Sequence, residues 1–253
     1  MPHRKVPRRH AKSRRSTTQP AQPTQAGKRQ AKVSLPQSDL DHLLAEIRSC
    51  RICRDQPRKK SKPLPHEPNP VLRVSGTAKI CICGQAPGTK VHVSGIPFTD
   101  PSGLRLRQWM GVSEQEFYDV ARIAIIPMGF CFPGQNSKGA DLPPRRECRE
   151  NWHRDLFAVL AVQFELLLLV GRYAQVWHLG SSAMGSLTQC VRDWRRFADV
   201  AGGQGQGQRS IYPLPHPSWR NNAWIKKNSW FEAELVMQLQ HHIRSVLDQP
   251  TSG

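Results

Sequence analysis

Four short apolar runs, bounded by glycine or proline, constrain this chain more than any other feature. They occupy residues 78–83, 123–128, 165–171 and 210–214. Runs this short that stay apolar without alternating read as strands buried on both faces. Between them the apolar spacing is helical, at 103–111, 145–162, in pieces over 172–199, and at 226–248. Strands alternating with helices predict an α/β protein: a three-layer α/β/α sandwich around a central, mostly parallel four-stranded sheet. In such sheets ligands bind beyond the carboxyl ends of the strands. The turn after residue 83, the 129–141 loop and the 215–224 loop all follow strands, so they are expected to converge on one cleft.

The chain divides by composition. Residues 1–37 carry a basic segment, with ten Lys or Arg and no acid up to residue 35. With almost nothing to bury, this is expected to be a disordered tail. It reads either as a solubilising extension or as a nonspecific nucleic-acid arm; an acid-poor, Arg-rich leader also resembles an organelle transit peptide. The domain is expected over 38–248, with 249–253 a flexible C-terminus. It opens with a helix whose N-cap is expected in Ser38-Asp39-Leu40-Asp41 and which leads to Cys50 and Cys53. The glycine- and glutamine-rich stretch 202–208 reads as a loop.

Over 253 residues, 37 Lys and Arg against 19 Asp and Glu leave a formal charge of +18. This points to an anionic partner, nucleic acid or a membrane surface. No apolar run is long enough for a membrane helix, and no apolar core follows the N-terminus as in a secretory leader. A cytoplasmic chain is the expectation.

Two loops carry the chemistry. Gly84-Gln85-Ala86-Pro87-Gly88 follows the first strand and leads through Thr89-Lys90-Val91-His92 to Ser94-Gly95-Ile96-Pro97-Phe98. A glycine-rich turn at a strand end implies close approach of backbone to a ligand. It lacks the lysine-serine ending of a phosphate loop and the GxGxxG spacing of a dinucleotide turn, which makes a phosphate-binding α/β protein the weaker reading. The second loop is Pro215-His216-Pro217-Ser218-Trp219-Arg220-Asn221, where a proline on each side stiffens the backbone that presents His216.

With these motifs the chain resembles the uracil-DNA glycosylase superfamily over about 38–248, most nearly its iron–sulfur-containing bacterial and archaeal branch. GQAPG at 84–88, SGIPF at 94–98 and HPSWRN at 216–221 carry the resemblance. It implies hydrolysis of the N-glycosidic bond of a deaminated or damaged base, uracil or a related one, flipped out of DNA. Phe98 would stack on the base. Backbone amides around Gln85 and Ala86, in the turn formed with Gly84, Pro87 and Gly88, would cradle a base carbonyl, and His216 would donate to the same oxygen. Lys90, Arg105, Ser218, Trp219, Arg220 and Asn221 are the expected DNA contacts, Trp219 as the wedge filling the gap left by the base. The resemblance also implies a cytoplasmic, bacterial, nucleoid-associated monomer with DNA as partner and no membrane. The alternative is a DNA-damage-binding protein on the same fold whose chemistry is weak or lost.

Seven cysteines in such a chain suggest metal ligation or core filling rather than disulfides. Cys50-x-x-Cys53 has metal-ligand spacing. The resemblance adds Cys131 and Cys148 and implies a [4Fe–4S] cluster; a structural zinc on the same four thiolates is the alternative. Cys81, Cys83 and Cys190 are expected in the core.

Two departures from the family pattern stand out. Acids expected after the first motif are replaced by Thr89-Lys90-Val91-His92, and Gln85 stands where the branch has glutamate. His92 is then the candidate base, with Asp100 and Asp141 as further candidates. The asparagine that reads the base edge falls at Pro127, leaving Met128 in the segment and Asn136 as a substitute, and placing uracil specificity in question.

Overall fold

The computed structural model describes residues 37–249 apart from 60, 161–162, 184 and 199–208. The expected basic tail up to residue 36, the 202–208 loop and all but one residue of the expected C-terminal segment therefore lie outside the described residues.

The sheet has four strands, β1 (Ile80–Cys83), β2 (Ile123–Ile125), β3 (Leu166–Val170) and β4 (Ser210–Leu214), in the order β2-β1-β3-β4. All three pairings are parallel, with Ile82 opposite Ile125 and Leu168, and Leu168 opposite Tyr212. The strand runs stay apolar because each residue is buried on one face or the other. Ile80, Ile82, Ile123, Ile125, Leu166, Leu168 and Tyr212 enter one core with the helices Pro101–Met110 and Met237–Leu247. Cys81, Cys83, Ala124, Leu167 and Leu169 enter the other, with Gln37–Arg48, Arg154–Leu160 and Arg172–Leu179. These two cores on opposite faces make the three-layer α/β/α sandwich.

Two local expectations shift, and one loop segment turns out helical. The first helix begins at Gln37, so Ser38 lies inside its first turn rather than before it. Pro127 has no N–H to give a ladder, and β2 ends at Ile125. Thr89–Ser94, rich in β-branched residues that favour strands, is a short helix stopped by Gly95 in the left-handed conformation.

Candidate active site

The loops after β1, β2 and β4 meet at the carboxyl edge of the sheet. Three adjoining cavities open there, and His216 and Asp141 line all of them. The innermost, about 100 Å³, is walled by Gly84–Gly88, Val91, Pro97, Phe98, Asp100, Ser102, Ile125, Pro127 and others. Two outer cavities of about 430 and 400 Å³ lie beyond it, the second lined by Lys90, Arg105, Ser218, Trp219 and Arg220.

Phe98 is the one non-glycine residue with positive φ (59°) among the described residues. That conformation is costly for an aromatic residue and persists only where its surroundings impose it. Here Tyr118 Oη donates to the Pro97 carbonyl at 2.9 Å, and the Phe98 ring meets Phe117 edge-on at 5.9 Å. Helix Pro101–Met110, capped by the Asp100 side chain, presses against the Phe98 backbone. A β-carbon on Gly103 would lie 1.8 Å from the Phe98 carbonyl oxygen, so only glycine allows this approach. The ring ends up over Gly84, where an added β-carbon would lie 3.4 Å from Cζ.

The turn supplies donors. Neither the Gln85 nor the Ala86 amide hydrogen-bonds within the described residues, while the Gly84 and Gln85 carbonyls accept from Met128 and Gly129 and fix the turn. The Gln85 side chain lies flat on Gly171, whose added β-carbon would sit 2.4 Å from Nε2.

His216 follows β4 between the buried Pro215 and Pro217. Asn221 Nδ2 donates to its carbonyl at 2.6 Å, and its ring has no hydrogen-bond partner among the described residues. Burial lowers its pKa below the ordinary histidine value, with Asp100 and Asp141 pulling the other way. The imidazole is therefore neutral near pH 7. Asp100 accepts from Ser102 Oγ at 2.6 Å and Gly103 N at 3.3 Å. Asp141 accepts from Gln135 Nε2 at 3.1 Å, and its Oδ2 would be 3.3 Å from a β-carbon on Gly88. Two acids thus line the inner pocket, one from the start of a helix and one from the second loop.

Around the rim, Trp219 is 70% exposed with Arg220 stacked on it at 5.3 Å, and Lys90 is exposed. Arg105 bridges to Asn222 Oδ1 at 2.7 Å and to the Ser218 carbonyl, and Ser218 Oγ accepts from the Arg220 amide. Arg105, Ser218 and Asn221 thus hold the His216 loop in shape as well as lining the cavities.

The structure leaves three expected residues outside these cavities. His92 turns away and packs on His66 and Phe132, at 4.2 and 5.9 Å between ring centroids. The turn of its helix carries it off the cleft. Asn136 spends its Oδ1 on the amides of Lys138 and Ala140, closing its own loop. Met128 is buried in the core. Pro127 does line the inner pocket, but it has no N–H, and its carbonyl faces His153 Nε2 at 3.1 Å. Tyr173 was missed in the sequence; it lines an outer cavity two residues past Gly171, a connection too short to read as a loop.

The four cysteines expected as ligands gather on the far side of the second loop. Cys53 and Cys148 hydrogen-bond to each other, and Cys53 and Cys131 share a small buried cluster with Leu64. Each sulfur faces an N–H donor: Trp152 Nε1 on Cys50 at 3.3 Å, Arg145 on Cys53, the Asn69 amide on Cys131, and the Phe130 amide on Cys148 at 3.4 Å. Among the described residues, no three His, Cys, Asp or Glu side chains converge as they would around a single ion.

Fold and cleft together define an α/β protein with adjoining cavities at the carboxyl edge of its parallel sheet. The model of the Uracil DNA glycosylase superfamily matches residues 73–240, about two thirds of the chain. The chain belongs to this superfamily, whose members are DNA glycosylases. No helix among the described residues is long and apolar enough to cross a membrane.

Proposed function

We propose that this protein is a DNA base-excision glycosylase acting on a flipped deaminated or damaged base. The observation that carries the reading is the inner pocket, where the Phe98 ring, the free Gln85 and Ala86 amides and the unpaired His216 imidazole face one small space. A base must leave the stack to reach it, at a cost of a few kcal/mol. Phe98 stacks on the base. As the C1′–N bond breaks, its electron pair moves onto the base, and the two amides with the neutral His216 N–H stabilise the charge on its carbonyl oxygen. Water bonds to C1′ and passes its proton to a carboxylate. Asp100 is the better placed, half-buried and held by two hydrogen bonds, whereas Asp141 is exposed. Trp219 and Arg220 meet the DNA around the extruded nucleotide.

Cys50, Cys53, Cys131 and Cys148 are the residues that would hold a [4Fe–4S] cluster, with a structural zinc on the same thiolates as the alternative. The N–H donors on the sulfurs would tune a cluster's potential. When bound, the cluster would anchor the segment around Cys50 to the second loop; no step above passes through it. Anaerobic purification should give visible absorption and about four irons per chain. Stoichiometric zinc without iron would reverse this assignment.

The functional test is a panel of labelled single- and double-stranded DNA bearing uracil, hypoxanthine or xanthine. Alkali-labile product that disappears in His216→Ala is the expected result. Binding without product from any substrate would instead favour a damage-binding protein, a reading that Pro127, which offers no base-edge amide, keeps open.

A further inference from the structure

A fourth cavity, of about 180 Å³, lies beside the outer cavity and shares Pro143, Pro144 and Tyr173 with it. Its floor is Met128 and its remaining walls are Arg145, Arg146 and Arg149. No acidic side chain lines it. Arg149 has no acidic partner among the described residues and lies over the Trp177 ring at 5.5 Å. Arg146 is 63% exposed, and its one carboxylate partner among the described residues is Glu150 at 3.6 Å. Arg145 is fixed by the Lys62 carbonyl at 2.8 Å and by Glu147. Beside the three guanidiniums, Tyr173, Val176 and Trp177 form an exposed stripe on one face of helix Arg172–Leu179. Exposed aromatics next to arginines form a surface that suits stacked bases and their phosphates.

We propose that this cavity seats a phosphate of a nucleotide flanking the flipped one, with Tyr173 stacking on that nucleotide's base. The occupant is the same DNA strand, because the cavity continues the outer one through Pro143, Pro144 and Tyr173 and every charged side chain in its walls is cationic. The proposal rests on the glycosylase reading for the identity of the strand, and it adds a subsite that extends recognition along the strand.

The test measures binding of the full chain to fluorescein-labelled single-stranded oligonucleotides with a central tetrahydrofuran abasic analogue, shortened stepwise from either end. No base release is needed, so a silent excision panel leaves the assay readable. Wild type should lose affinity as nucleotides are removed from one end. Arg149→Gln, which keeps part of the side-chain stem over Trp177, should lose that end-dependence and lower the salt slope by about 0.7, the share of one single-strand phosphate. Tyr173→Ala should weaken binding roughly 5- to 150-fold on long oligonucleotides and leave short ones unaffected. Circular dichroism checks that both variants fold, and Arg146→Gln gives an independent reading of the phosphate. Unchanged length dependence and salt slope in all three variants would overturn the proposal. So would an equal loss at every length, which marks diffuse charge attraction or a surface for some other polyanion.

Discussion

Gly103→Ala isolates the device that holds Phe98 in place. In an ordinary helix interior this change stabilises by about 1 kcal/mol, because alanine is the better helix former. Here the new β-carbon would lie 1.8 Å from the Phe98 carbonyl oxygen, 2.7 Å from its carbonyl carbon and 2.8 Å from its Cβ. Two of these atoms belong to backbone, so no rotamer change relieves the contact. Either helix Pro101–Met110 slides away or Phe98 leaves its positive φ. Overpacking of this kind costs about 1–3 kcal/mol. With the overlap this deep the upper end applies, and after the propensity gain the net loss is about 2 kcal/mol. Urea titration should show a lower midpoint with an unchanged m-value, and base release should fall because the ring no longer lies over Gly84. A variant as stable as wild type, with undiminished release, would show that the helix does not hold the ring.

Further outcomes follow from the same geometry. Asp100→Asn keeps an N-cap side chain but removes the proton acceptor, so base release should fall by roughly 10²–10⁴ with little change in DNA affinity; Asp141→Asn should cost far less, and the reverse order would move the water to Asp141. Burial and the nearby His178 push the His153 pKa down to about 3. The unfolded chain then binds the extra proton between about pH 6.5 and pH 3, and stability falls as pH drops through that window, by up to roughly 1.4 kcal/mol per pH unit from this group. His153→Phe, stacked between Phe130 and Phe157, should flatten that acid limb in urea titrations at stepped pH. Cys148→Ser should abolish bound iron in anaerobic preparations, whereas Cys190→Ser, away from the other four, should retain it.

The sheet was legible because a strand buried on both faces leaves an uninterrupted apolar run, and β1 and β3 are such strands. The convergence of three loops followed from parallel topology. What escaped was orientation. Thr89–Ser94 has strand-like composition, and only its helical turn decides that His92 faces His66 rather than the cleft. Asn136 looked free, yet its Oδ1 accepts from the Lys138 and Ala140 amides of its own turn. Asp100 was legible as a further candidate acid, but its place in the pocket shared with His216 depends on the strained turn at Phe98. Tyr173, Arg146 and Arg149 carry no motif; they matter through adjacency across the second loop and the helix after β3.

Pro127 has a consequence for how sharply such a pocket chooses. A wall that cannot donate, and whose carbonyl is already directed at His153, does not spell out the pattern of a base's edge. Hydrogen-bonded walls reject mismatched ligands by factors of about 10⁴–10⁵, while apolar walls separate near neighbours by only about 10–200. On the proposed reading, such a pocket would contact one base carbonyl through the Gln85 and Ala86 amides and His216 and sort the rest of the base by outline. The expected result is a repertoire of several altered bases processed at comparable rates, with the exclusion of normal DNA resting on how readily a lesion leaves the stack.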